Sequence, residues 1–190
     1  QQRNIHLILD ESFVDFSEKS VENTLLKNEV LETYPHLTVI KSISKSYGVP
    51  GLRLGIAASS DKEIISYLRK NMAIWNINSF AEFYLQIYSK YNNDYQNACK
   101  KFIAERQRFF EVLQQVDFLR VIPSQANYFL CEVTSRFSST KLVSLLLEHN
   151  LLLKDCSTKT GFDGRNYIRI AIRDTEDNNY LAENLKKLQA

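Results

Sequence analysis

Residues 42–55 read SISKSYGVPGLRLG and hold three of the chain's five glycines. The stretch follows the apolar run at 37–40 and carries one lysine, Lys45, within a polar turn. Gly48 and Gly51 lack the Cβ atom that would block a close approach between the backbone and an anion. The pattern therefore predicts an anion-binding turn built around Lys45.

The side chains of this turn suit a phosphate-bearing carbonyl compound. Ser42, Ser44 and Arg53 can donate hydrogen bonds to a phosphate, and Arg53 does so through a planar fork of donors. A nearby positive charge and partial desolvation of Lys45 favour the free amine that Schiff-base chemistry requires. The alternative is a surface turn with a solvated lysine, and the spacing alone leaves both interpretations open.

The whole stretch resembles the cofactor-lysine motif of the class I and II aminotransferases, the fold-type-I enzymes that use pyridoxal 5'-phosphate (PLP). The matching positions are both serines, the lysine, the aromatic-glycine pair Tyr47 and Gly48, the second glycine, the arginine and the closing glycine. The resemblance implies that Lys45 forms a Schiff base with PLP. It also implies that Ser42, Ser44 and Arg53 hold the cofactor phosphate.

Two residues near the start of the chain extend the resemblance. Residues 5–9 are an apolar run that predicts a buried parallel strand, and Asp10 follows it. An aspartate there is often a turn cap, but in the family it pairs with the pyridine nitrogen, which implies a cofactor contact for Asp10. Phe13 stands where the family usually has a tyrosine that bonds the phenolic oxygen of PLP. This departure favours the branch of histidinol-phosphate aminotransferases and threonine-phosphate decarboxylases.

Three residues are candidates for substrate binding. Residues 166–173 alternate, so Arg169 shares one strand face with Arg173, and the resemblance implies that Arg169 binds the substrate α-carboxylate. Lys154 stands where histidinol-phosphate aminotransferases carry an arginine that contacts the substrate phosphate; it keeps the charge but lacks the fork. Asn127 lies in a stretch that resembles a family segment near the substrate, and the alternative is a strand-entry residue.

The remaining pattern predicts the order of helices and strands. A helix at 21–33 between the strands at 5–9 and 37–40 makes a βαβ unit, which sets Asp10 and Lys45 on neighbouring loops. A strand at 54–59, a helix capped by Asp61, helices at 80–91 and 95–116, and alternating strands and helices at 118–188 follow. The lone Trp75 indicates a core or interface position.

The resemblance implies an α/β fold in two parts. Residues 1–92 correspond to the C-terminal part of the aspartate aminotransferase-like PLP-binding large domain, 93–117 to a long linking helix, and 118–190 to a small C-terminal α+β domain. The chain begins without methionine inside a strand pattern, which predicts a fragment of a longer enzyme. Fold-type-I sites borrow residues across a dimer, so the resemblance also implies a homodimer.

Composition argues against several other classes. The 190 residues are 44% hydrophobic with a net charge of +2, and the lysines and arginines are spread among acidic residues, which argues against a nucleic-acid surface. The three cysteines form no CxxC pair or metal-ligand spacing, so we expect no metal site and reduced thiols in the cytoplasm. No apolar stretch has the length of a membrane span.

The expected function is that of a PLP-dependent aminotransferase that acts on an amino acid, its keto acid or a phosphorylated amino compound. A threonine-phosphate-type decarboxylase is the alternative, because these residues do not decide which bond at Cα breaks. A PLP-sensing regulatory domain without turnover is an alternative of another class. A scaffold without cofactor is disfavoured, since it needs none of Asp10, Lys45, Arg53 and Arg169.

Overall fold

A computed structural model of the chain describes residues 5–162 and 164–189. The structure divides into two compact units, Gln1–Lys100 and Lys101–Ala190, and the division falls within one long helix. The mixed α/β composition predicted from the sequence is confirmed. The domain boundaries drawn from the resemblance stay a prediction.

The first unit contains a three-stranded sheet with two parallel strands. β1 (Leu7–Asp10) pairs in parallel with β2 (Leu37–Ser42), and β3 (Gly55–Ala58) pairs antiparallel with β2. The parallel register brings Asp10 opposite Ile40, so the chain leaves both strands at the same edge of the sheet. The predicted neighbouring loops of Asp10 and Lys45 follow from this pairing.

The predicted burial of the first strand is wrong for the residues described. Leu7 and Ile8 are 57% and 67% exposed. Within the described sheet β1 is an edge strand that pairs only with β2, and Leu9 is its one half-buried residue.

The helix predicted at 21–33 is also wrong, since two short helices replace it. These are α1 (Ser20–Asn23) and α2 (Asn28–Thr33). The buried carboxylate of Glu11 accepts hydrogen bonds from the Thr24 hydroxyl and the Leu25 backbone N–H, both at 2.6 Å. These bonds hold the intervening residues outside helical geometry, and no local sequence pattern reports them.

The rest of the first unit is helical. α3 (Lys62–Asn71) begins at the predicted cap Asp61, whose carboxylate accepts from the N–H groups of residues 63 and 64. α4 (Ser79–Ile87) is capped by Asn78 and continues through a short 3-10 turn (Tyr88–Tyr91) into α5 (Asn92–Leu113). Trp75 lies between α3 and α4 and is 91% exposed, so the core alternative is wrong for the described residues and the interface alternative stays a prediction.

The second unit is an antiparallel sheet with helices. Its strands follow the order β4 (Leu119–Ile122), β5 (Tyr128–Val133), β7 (Tyr167–Ala171) and β6 (Lys154–Asp155). α6 (Ser139–Leu147) and α7 (Thr175–Lys187) complete the unit. β6 is only two residues long and begins at Lys154.

The second unit has a large apolar core. Phe109 and Leu113 of α5 are fully buried against Phe129 of β5 and Ile168 and Ile170 of β7. The long helix predicted at 95–116 corresponds to α5, which ends at Leu113 and packs into this core. In β7 the isoleucines are buried and Arg169 is exposed, as the alternating pattern predicted.

Candidate functional site

The loop that carries Lys45 is closed at its base by strand pairing. Ser42 pairs with Gly55 across β2 and β3, and the backbone N–H of Ile43 donates to the carbonyl of Leu54 at 3.0 Å. Ile43 and Leu54 are buried and pack with Ala81 of α4. The two ends of the motif therefore lie together, and the residues between them form a loop at the sheet edge.

Two residues of this loop have left-handed backbone conformations. Gly48 has φ of 67°, which glycine adopts without the steric cost that a Cβ imposes. Arg53 has φ of 58°, a conformation uncommon for a residue with a side chain. Gly51 has no such φ, and an added Cβ meets nothing within 4 Å at either glycine. The left-handed φ gives Gly48 a role in the turn, and the close approach of both glycines to a bound anion stays a prediction.

The Lys45 side chain extends over the ring of Phe13. Its Nζ atom lies 3.9 Å from the ring centroid, a cation–π distance. The Lys45 side chain is exposed. The described residues therefore do not provide the partial desolvation of its amine that the sequence interpretation assumed. Phe13 thus meets the lysine with an aromatic face and offers no hydroxyl.

Asp10 is held at the end of β1 by Ser12. Its Oδ1 atom accepts from the Ser12 backbone N–H at 2.9 Å and from the Ser12 hydroxyl. The Ser12 hydroxyl lowers the pKa of Asp10, the Ser12 N–H adds to this, and the positive charge of Lys45 contributes further against an opposing desolvation effect. Asp10 therefore remains an anion near Lys45, and its Oδ2 atom takes part in neither of these bonds.

Ser12 also connects Asp10 to the lysine motif, which the sequence interpretation missed. Its hydroxyl accepts a hydrogen bond from the Ser42 backbone N–H at 2.9 Å, and the side chain is buried. One hydroxyl therefore couples the carboxylate to the first residue of the motif. A serine two residues after a strand-terminal aspartate was the available sequence signal.

The candidate phosphate ligands are brought together in part. The Ser44 backbone N–H donates to the Ser42 hydroxyl at 3.2 Å, so the two serines are adjacent. The Arg53 guanidinium is exposed and donates through one nitrogen to the Pro50 carbonyl at 3.0 Å. The hydroxyls and the guanidinium are donors of the kind that a phosphate needs.

In the second unit, Lys154 and Arg169 lie directly opposite each other on β6 and β7. Both side chains are exposed, and the Arg169 guanidinium lies 5.2 Å from the centre of the Tyr128 ring. A cavity of about 450 Å³ is lined by both cations and by Arg173, whose charge is paired with Asp177. Two facing cations therefore contribute positive charge to the wall of this cavity.

Asn127 has a structural contact. Its carbonyl oxygen accepts from the Ile172 backbone N–H at 3.0 Å at the entrance to β5, and the residue is half-buried. This contact matches the strand-entry alternative for its backbone. A substrate role of its side chain stays a prediction.

Potential metal ligands are dispersed within residues 5–162 and 164–189. No group of three or more histidine, cysteine, aspartate or glutamate side chains there is arranged to hold a metal ion. Within the same ranges no helix is long and apolar enough to cross a membrane. Cys99, Cys131 and Cys156 are unpaired, and the cytoplasmic location stays a prediction.

Known proteins share the sequence pattern of this chain. The family model for aminotransferase class I and II matches residues 1–185. An L-serine phosphate decarboxylase from Sulfurospirillum multivorans is 34% identical over 96% of this chain and 47% of its own length. Histidinol-phosphate aminotransferase 2 from Archaeoglobus fulgidus is 32% identical over 96% of this chain and 50% of its own length.

A solved structure shows the same fold. The histidinol-phosphate aminotransferase from Clostridium acetobutylicum superimposes with a TM-score of 0.85 at 29% identity, covering 96% of this chain and 53% of that one. The chain spans about half the length of the curated relatives it matches.

Proposed function

We propose that this chain, which belongs to the PLP-dependent aminotransferase class I and II family, supplies the lysine site of an enzyme that decarboxylates a phosphorylated α-amino acid. The observation that carries this proposal is the pairing of Lys154 with Arg169 across β6 and β7. Like charges directly opposite on neighbouring strands are unfavourable, and a bound anion offsets their repulsion. A substrate with both a carboxylate and a phosphate supplies a group for each cation.

The residues of the first unit fit PLP. The chain offers an amine at Lys45, a carboxylate at Asp10 and phosphate donors at Ser42, Ser44 and Arg53. When bound, PLP withdraws electrons from the substrate Cα, which is the chemistry that the protein itself lacks. Phe13 fits as a packing surface, and it leaves the phenolic oxygen of the cofactor without a hydroxyl donor at this position.

Each residue then has a definable task. Lys45 would bind the cofactor through its amine and would be released when the substrate amine takes its place. Its free amine group would then carry the proton that is delivered to the substrate Cα after the carboxylate has left as CO₂. Asp10 stays ionised and accepts a hydrogen bond from the pyridine nitrogen. Arg169 binds and orients the α-carboxylate through its planar fork, and Lys154 neutralises the phosphate as a point charge. The cofactor phosphate is assigned to the two serines and Arg53.

The test is a product assay with the full-length protein and added PLP. L-serine phosphate and L-threonine phosphate are supplied as substrates, and released CO₂ and the amino alcohol phosphate are measured. We expect turnover that is lost in Lys45→Ala and reduced about tenfold or more in Lys154→Met. Wild-type protein that takes up PLP but releases no CO₂ contradicts the decarboxylase.

Transamination is the second candidate, and the relationship to histidinol-phosphate aminotransferases favours it. The same assay distinguishes the two reactions when 2-oxoglutarate is added. A phosphorylated amino compound then yields a carbonyl product and glutamate without CO₂. Binding of PLP with neither reaction supports the regulatory alternative.

We also propose that the full enzyme is a homodimer. Exposed apolar side chains on the first unit support it, since Ile74, Trp75 and Phe80 are 92%, 91% and 79% exposed. Ile74 and Trp75 are neighbours in the sequence, and large exposed apolar patches mark interaction surfaces. Sedimentation of the full-length protein and of its Trp75→Ser variant tests the dimer, and Tyr67→Ser is the exposed control from α3. A monomeric wild type contradicts it.

A further inference from the structure

Asp15 joins Lys41 and Ser46, the two residues on either side of the segment 42–45. Its Oδ1 atom accepts from the Lys41 ammonium at 2.6 Å, and its Oδ2 atom accepts from the Ser46 hydroxyl at 2.7 Å. Lys41 lies immediately before Ser42, and Ser46 lies immediately after Lys45. One carboxylate therefore holds both sides of the four residues that include Ser42, Ser44 and Lys45.

The ion pair within this arrangement is largely shielded from water. The side chains of Lys41 and Asp15 are only 9% and 14% exposed. Removing one partner of a buried pair leaves an uncompensated charge, which is strongly unfavourable. Asp15 is therefore held by Lys41, and its second oxygen is a fixed acceptor for Ser46.

Further contacts restrain the same segment from other directions. The Ser42 backbone N–H is bonded to Ser12 at 2.9 Å. The ring of Tyr47 stacks on Tyr95 with a centroid distance of 4.2 Å and an interplanar angle of 6°. Lys45 itself is exposed and extends over Phe13, so the backbone on both sides of it is restrained while its amine stays accessible.

We propose that Asp15 is a positioning residue that sets the place of Lys45 through Ser46 and Lys41. The inference rests on the proposed cofactor role of Lys45. Asp15 contacts neither cofactor nor substrate in this scheme. Its effect passes through the backbone between residues 41 and 46, which it fastens at both ends.

Ser46→Ala is the decisive variant, because it removes one hydroxyl and leaves the Lys41–Asp15 ion pair intact. Ser46→Thr keeps a hydroxyl at this position and is the variant expected to retain the hydrogen bond to Asp15. Asp15→Asn weakens both contacts, and Asp117→Asn is the matched control, since it changes an exposed ion pair with Arg136 in the second unit. All variants are made in the full-length protein.

Two measurements separate positioning from simple loss of stability. Hydrogen exchange of the amides at 41–47 is followed without cofactor, and PLP affinity and the rate of borohydride trapping at Lys45 are measured with it. We expect Ser46→Ala to speed exchange and weaken PLP binding about tenfold with little change in melting temperature. Ser46→Thr and Asp117→Asn are expected to match the wild type.

The outcomes are distinguishable. If the wild type takes up PLP at Lys45 but Ser46→Ala and Asp15→Asn match it, the positioning role is wrong and the proposed function stands. The positioning role is equally wrong if the loss of affinity tracks melting temperature across all variants or if Ser46→Thr fails to restore binding. A wild type that takes up no PLP at Lys45 overturns the proposed function and the inference with it.

Discussion

The two units of this chain differ in how deeply the apolar side chains of their strands and helices are buried. In the second unit, Phe109, Phe118 and Phe129 are fully buried in one core. In the first unit, Leu7 and Ile8 of β1 are more than half exposed, and the cluster beneath the lysine loop contains only Ile43, Leu54 and Ala81 as buried members among the described residues. The apolar run at 5–9 correctly predicted a strand. It did not indicate which residues, if any, cover the side chains of that strand.

Individual charged residues of the two units also differ in how many hydrogen bonds they make. Glu105 of the second unit is bonded to Arg108, Asn178 and Thr175. In the first unit, Lys45 is exposed and Asp10 is bonded through one oxygen only in the contacts described. Groups that are fully engaged stabilise a fold, and groups with remaining bonding capacity are suited to a ligand.

The largest expected effect contrasts the two sets of apolar residues. Phe129→Ala should destabilise the second unit by about 3–5 kcal/mol, because it empties a filled core site. Ile8→Ala should cost at most about 0.5 kcal/mol in the 190-residue chain, because its side chain is already largely in water. Urea unfolding followed by circular dichroism measures both. An Ile8→Ala cost equal to that of Phe129→Ala contradicts the contrast.

A smaller effect is expected at Glu105. Its bond from Arg108, together with those from Asn178 and Thr175, lowers its pKa to about 2 from the usual 4.5. Because the folded-state pKa is depressed, the stabilisation is present above the unfolded pKa and is lost as pH falls from about 4.5 toward 2. Glu105→Gln should therefore lower the free energy of unfolding at pH 7 by about 1.5–3 kcal/mol.

The measurement is urea unfolding of wild type and Glu105→Gln between pH 7 and pH 2. The difference between them should shrink across the acid range. Glu111→Gln on the same helix is the control, since Glu111 is exposed and accepts from Gln107 only in the bonds described. A difference that stays constant with pH argues against the carboxylate as its source.

The smallest expected effect compares two glycines of the lysine loop. Gly48→Ala should destabilise the first unit by about 1 kcal/mol, because alanine resists the left-handed φ of 67°. Gly51→Ala should be neutral or stabilising by a few tenths of a kcal/mol, since its φ is ordinary and an added Cβ meets open space. Thermal unfolding of both variants gives their melting temperatures. Equal shifts in melting temperature would show that the left-handed φ of Gly48 does not make its replacement more costly.

Local sequence patterns predicted much of the fold for a physical reason. Strand alternation in 167–171 and the helix cap at Asp61 depend on residues a few positions apart, and both were confirmed. The continuous helix at 21–33 was wrong because Glu11, more than ten residues away, binds Thr24 and Leu25. The spacing of apolar residues along a helix does not reveal a distant side chain that forms hydrogen bonds with the helix backbone.

The same distinction applies to the candidate site. Residue identity and spacing indicated an anion-binding turn with Ser42, Ser44, Lys45 and Arg53 but left an ordinary surface turn open. The roles of Asp10 and Arg169 came only from the resemblance to the family. Tertiary structure decided that Ser12 links Asp10 to Ser42, that Asp15 joins Lys41 to Ser46, and that Lys154 faces Arg169. Chain spacing does not encode these pairings, since strand register and loop path determine them only after the chain has folded.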